Sequence, residues 1–115
     1  MRLTSAIWVS AYIRRLSIEG IPVLVVRRGA EEAGAIFVKV NRLNGTADVY
    51  APAPQTAFDD DHPGDRLWTR ATGPDPIPDD KAEEYLAKQA RFDSDLWVLE
   101  VEARDGDQRL DVIDF

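Results

Sequence analysis

Residues 35–51, AIFVKVNRLNGTADVYA, decide how this chain is read. Two short runs rich in β-branched and aromatic residues, 35–41 and 47–51, flank Asn44-Gly45, the preferred pair of a type I′ turn. The stretch therefore predicts a hairpin. Successive strand side chains point to opposite sides of a sheet, so Val38 and Val49 are read toward a core. A third strand over 66–72 extends the pattern, with Leu67 joining the valines. Phe37, Lys39, Tyr50, Trp68 and Arg70 are then read on the opposite face, together with Asp48 and Arg66. Charged heads need water or a partner, so this aromatic and charged face is expected to be accessible.

Outward from the hairpin the remaining elements follow. Ala6, Val9, Ile13 and Leu16 keep the spacing of a buried helical stripe over 4–19, with Thr4 or Ser5 as cap and Gly20 as stop. Residues 21–26 suit a strand that begins at Pro22. Pro74, Pro76 and Pro78 make an extended connector, and Asp80 with Glu83 reads as the capping box of a second helix running to Phe92. Residues 96–103 alternate as a strand with Trp97, Leu99 and Val101 inward, and Asp105-Gly106 turns the chain toward a last strand near 110–113. The expected fold is α+β: an antiparallel-rich sheet of five or six strands with two helices packed on one face, in a single compact domain over 1–115.

The length of 115 residues suffices for one core without metal or disulfide staples. The chain has no cysteine, which excludes disulfides, thiolate zinc sites and a cysteine nucleophile and is compatible with the cytoplasmic location expected here. Polar residues interrupt the apolar stretch 3–13, which makes a poor signal peptide and no membrane span. The net charge is −7 and is uneven, with seven basic and four acidic residues over 1–50 against seven and seventeen over 51–115. Such an acidic chain is a poor binder of nucleic-acid backbone, which demands clustered Lys and Arg.

Trp8-Val9-Ser10-Ala11 with Arg14-Arg15, then Arg27-Arg28-Gly29, Glu32-Ala33-Gly34-Ala35-Ile36 and Asp93-Ser94-Asp95-Leu96-Trp97-Val98-Leu99-Glu100, together resemble domain of unknown function family 1491. The resemblance spans nearly the whole chain and is most specific in Asp-x-Asp-Leu-Trp, where Ser94 stands in place of the expected Pro. It implies a small single-domain protein of mainly alphaproteobacterial distribution and brings no activity, cofactor or catalytic residue.

Chemical motifs are sparse. Gly29 and Gly34 have the spacing of a phosphate loop, but Ala35-Ile36 replaces its Lys-Ser/Thr and a strand follows where a helix is required. Asp59, Asp60, Asp61 and His62 offer oxygen ligands and one imidazole without the spacing of a known cation loop. Arg14-Arg15 and Arg27-Arg28 fit a helix end and a turn better than an anion clamp. No serine lies in a nucleophile elbow. The leading expectation is therefore a noncatalytic domain, cofactor-free, that binds a protein partner or a second copy through Phe37, Lys39, Tyr50, Arg66, Trp68 and Arg70. The alternative is a small metal-dependent or carboxylate-based enzyme using residues 59–62.

Overall fold

The computed structural model describes residues 3–54 and 66–113. Helix α1 (Ser5–Ile18) starts from Thr4, whose hydroxyl accepts from the Ile7 N–H, and stops before Gly20, which adopts φ of 77°. Strands β1 (Val23–Arg27), β2 (Ile36–Asn41), β3 (Thr46–Pro52), β4 (Trp68–Arg70), β5 (Ile77–Pro78) and β6 (Trp97–Glu102) form one sheet. Helix α2 (Asp79–Phe92) sits between β5 and β6 in the chain. The strand order is β1-β6-β2-β3-β4, with β5 beside β3, and among the described strands β2 and β6 pair in parallel while the other neighbours are antiparallel.

The α+β class and the six-stranded, mostly antiparallel sheet match the sequence reading, whereas the placement of both helices on one face does not. α1 lays Val9, Tyr12 and Leu16 on Ile36, Val38, Val40, Leu99 and Val101. α2 lays Ala82 and Leu86 on Phe37, Ala47, Val49 and Val98 on the other side. The sheet is thus covered on both faces, and the sequence signal for this is the unbroken apolar run Leu96-Trp97-Val98-Leu99, which alternation cannot explain.

Two element details also differ. α2 has Pro78 at its cap position with no side-chain cap bond, so the expected capping box at Asp80 is absent. The last strand expected near 110–113 reduces to a single parallel bridge between Trp68 and Val112.

Turn geometry redistributes the side chains. A type I′ turn at Asn44-Gly45 would pair Leu43 with Thr46. The observed register instead pairs Asn41 with Ala47, Lys39 with Val49 and Val38 with Tyr50. Leu43 takes φ of 62° and Gly45 φ of 88°, while the Asn41 and Asn44 side chains accept from the Leu43 and Thr46 N–H groups. A slip of one residue sends a strand's side chains to the other face. Phe37 and Lys39 consequently lie under α2, whereas Asp48, Tyr50, Trp68 and Arg70 lie on the α1 face.

Candidate functional site

The expected aromatic and charged platform is not a surface. Phe37, Lys39, Tyr50 and Trp68 are all buried, and they are divided between the two faces. The Trp68 ring packs 4.9 Å from Trp8, and its indole N–H donates to the Ile36 carbonyl. Arg66 is half-buried and donates to the Leu3 carbonyl at 2.8 Å. Residues 59–62, the basis of the enzyme alternative, lie outside the described residues.

Among the described residues two charged side chains, Lys39 and Asp48, are buried, and each is neutralised from within. Lys39 Nζ lies 2.6 Å from Asp79, 2.7 Å from Glu83 and 3.5 Å from Glu100. Burial alone would depress this ammonium, but the hydrogen bonds of Asp79 and Glu83 and the charges of Glu100 and Glu83 outweigh it and hold its pKa above the ordinary lysine value. A lysine kept protonated is neither nucleophile nor base, so the group serves to tie α2 to the sheet. On the α1 face, Asp48 accepts from Arg42 at 2.8 Å and from Arg70, and Arg70 also donates to the Tyr50 hydroxyl at 2.6 Å. Sequence reading set Asp48, Tyr50 and Arg70 on one face but took that face as accessible, and it missed the Lys39 cluster, whose partners Asp79, Glu83 and Glu100 are brought together only by the tertiary fold.

The segments that carry the family resemblance converge as scaffold. Ser5 and Ala6, at the start of α1, donate their N–H groups to the carbonyls of Glu32 and Glu31. Trp97 donates its indole N–H to the Ala30 carbonyl at 2.8 Å, and the Arg28 guanidinium stands 5.2 Å from the Trp97 ring. A Cβ on Gly29 or Gly34 would come within 2.3 or 2.4 Å of the Asp95 carbonyl oxygen. These glycines let the 29–34 turn lie against the 95–97 backbone, which is a packing role and not phosphate binding.

What remains exposed is of a different kind. α1 turns Ile7 and Ile18 to solvent, and with Ala11 and Arg14 they border a shallow hollow of about 640 Å³. More pronounced is the edge formed by β1. Leu24, Val25 and Val26 are 58%, 43% and 56% exposed, three consecutive aliphatic residues at the rim of the sheet. The opposite edge is bridged at Trp68, which donates its backbone N–H to Asp111 and accepts from Ile113. At β1 the Pro22 carbonyl accepts from the Glu102 N–H, and Leu24 pairs with Glu100. Antiparallel alternation then directs the N–H and C=O of Val23 and Val25 away from β6. Among the described residues, no turn or loop backbone hydrogen bond reaches them.

An open mixed sheet sandwiched between two helices defines a small α+β domain. The chain belongs to the DUF1491 family, protein of unknown function, whose model matches residues 3–111. It is similar to the solution structure of protein Atu0922 from A. tumefaciens, with TM-score 0.81 and 37% identity over 100% of this chain and 98% of that one. It is likewise similar to the crystal structure of a DUF1491 family protein from Caulobacter crescentus CB15, with TM-score 0.77 and 33% identity over 99% and 100% of the two chains. No curated protein matches. No described helix is long and apolar enough to cross a membrane.

Proposed function

We propose that this chain is a noncatalytic protein-binding domain that accepts an extended segment of a protein partner along β1. The observation that carries the reading is the β1 edge itself, which presents exposed Leu24, Val25 and Val26, whereas β4 is bridged at Trp68 by the 111–113 segment. Main-chain groups of an added strand satisfy the outward amides, and pockets between alternate side chains supply selectivity. Folded proteins ordinarily blunt such an edge with charge or cover, because it invites pairing. Here Pro22 stands just before the strand and Arg27 and Arg28 close it, so the apolar centre is the part left available.

The test is site-specific photo-crosslinking in the native cell. A benzophenone side chain carried at Leu24 or Val26 is expected to capture a protein chain that the same probe at exposed Lys88 on α2 does not. Capture should vanish when the other of these two β1 positions is changed to lysine. Equal labelling from β1 and from Lys88 overturns the proposal.

A further inference from the structure

Resting on that reading of β1, we infer that the strand seated there is β1 of a second copy, antiparallel, with a two-fold axis at Leu24. The hydrogen-bonding pattern selects this register. Proline at 22 has no N–H, and an irregularity interrupts the ladder between Val25 and Arg27, so the regular outward-facing groups are those of Val23 and Val25 alone. A dyad at Leu24 sets Val23 of each copy opposite Val25 of the other, and all four outward N–H groups meet all four outward carbonyls. Centring the pair on Val25 would pair Val25 with itself and leave Val23 facing the irregular end of the strand.

The side chains agree with that register. Leu24 meets its own copy, and Val26 lies opposite Pro22, so the exposed aliphatics cover one another. Val23 and Val25 share the face of Val101 and Leu99, and Val25 stays 43% exposed, so α1 does not roof the edge. Charge agrees as well. Antiparallel pairing with the dyad at Leu24 holds the two Arg27 residues about 20 Å apart along the strands, so their like charges stay separated. The contact is isologous, as a two-fold dimer requires, and it makes one continuous sheet through both subunits. Its small extent predicts a dissociation constant in the micromolar range or weaker.

The absence of cysteine makes the register directly testable. Opposed residues that do not exchange hydrogen bonds, as at the Leu24 dyad, have Cα atoms about 4.5 Å apart, within reach of a disulfide. Leu24→Cys should oxidise to a covalent dimer in solution, while Val26→Cys, its counterpart lying about 13 Å away along the strands, should not. Sedimentation equilibrium of the unsubstituted chain should show reversible dimerisation, abolished by Leu24→Lys. A chain that stays monomeric at about 1 mM, or cysteines at 24 and 26 that crosslink equally, overturns the inference. Monomeric behaviour together with in-cell capture of another protein at β1 overturns only the second-copy assignment; loss of β1-specific capture as well overturns the docking edge itself.

Discussion

The Ser5 hydroxyl donates to the Gly34 carbonyl at 2.6 Å, and both residues are buried. This bond fixes the start of α1 to the 29–34 turn, whose Glu31 and Glu32 carbonyls already receive the first helical N–H groups. The same turn lies against Asp95 and Trp97, so one junction joins α1, β2 and β6.

Ser5→Ala should cost about 1–3 kcal/mol, because the Gly34 carbonyl is left buried without its donor. Gly34→Ala should cost at least as much, since its Cβ would lie 2.4 Å from a backbone oxygen that cannot swing aside. Urea midpoints of the two variants measure both. A Gly34→Ala variant as stable as the parent would show that the turn is not held against Asp95.

Lys39 sets an alkaline limit on stability. Its folded pKa lies above the ordinary 10.5, so the folded state binds the proton more tightly than the unfolded chain. The resulting stability is fully present below about pH 10.5 and is lost as pH rises through the folded value. Lys39→Met should lose about 1.5–3 kcal/mol at pH 7 and show a shallower decline toward pH 11 than the parent. Burial also raises the Tyr12 and Tyr85 phenols, against a smaller opposing effect of Arg15 on Tyr12, and both contribute in the same alkaline direction. Because those tyrosines are present in both proteins, the difference between the two pH curves reports Lys39. Parallel curves would exclude its role.

Asp48 is also buried, and each of its oxygens holds one guanidinium. Asp48→Asn keeps the shape but withdraws the charge from both Arg42 and Arg70. Opening such a pair costs about 3 kcal/mol or somewhat less here, since each arginine side chain retains about a quarter of its exposure. Denaturant melts with an unchanged m-value would establish the loss, and a change under about 0.5 kcal/mol would mean that water replaces the carboxylate without penalty.

Much of this architecture is legible locally. Thr4 and Gly20 bracket α1, and the β-branched runs mark β1, β2 and β3. What a single sequence does not carry is which residues face each other across a turn. Asn44-Gly45 correctly announces a reversal, but the competing side-chain bonds of Asn41 and Asn44 build a different loop from the one that pair usually makes. The resulting one-residue slip separated Phe37 and Lys39 from Tyr50, Trp68 and Arg70, and the supposed platform dissolved. Lys39 reads as exposed because its counter-charges, Asp79, Glu83 and Glu100, come from elsewhere in the fold, and Asp48 reads as exposed because parity does not show that α1 covers its face. The β1 edge was present as an apolar run, yet only the strand order reveals that nothing described lies beyond it.

That loop also supplies a stabilising substitution. Leu43 holds φ of 62° while 41% exposed, so it bears the steric cost of a left-handed backbone without a buried side chain in return. For a residue with a Cβ that conformation costs about 1–2 kcal/mol, and asparagine or glycine relieves much of it. Glycine gives part of the gain back through the greater freedom of its unfolded chain, which makes Leu43→Asn the better choice. We expect Leu43→Asn to raise stability by about 0.5–1 kcal/mol, with Leu43→Gly between it and the parent. Leu43→Val should be destabilising, because a β-branched side chain tolerates positive φ least. The order Asn, Gly, Leu, Val in thermal midpoint is the signature of a left-handed residue at 43. A different order, with Val above Asn, would indicate the ordinary two-residue turn, restore the register read from Asn44-Gly45, and return Phe37 and Lys39 to the side of the sheet that carries Tyr50.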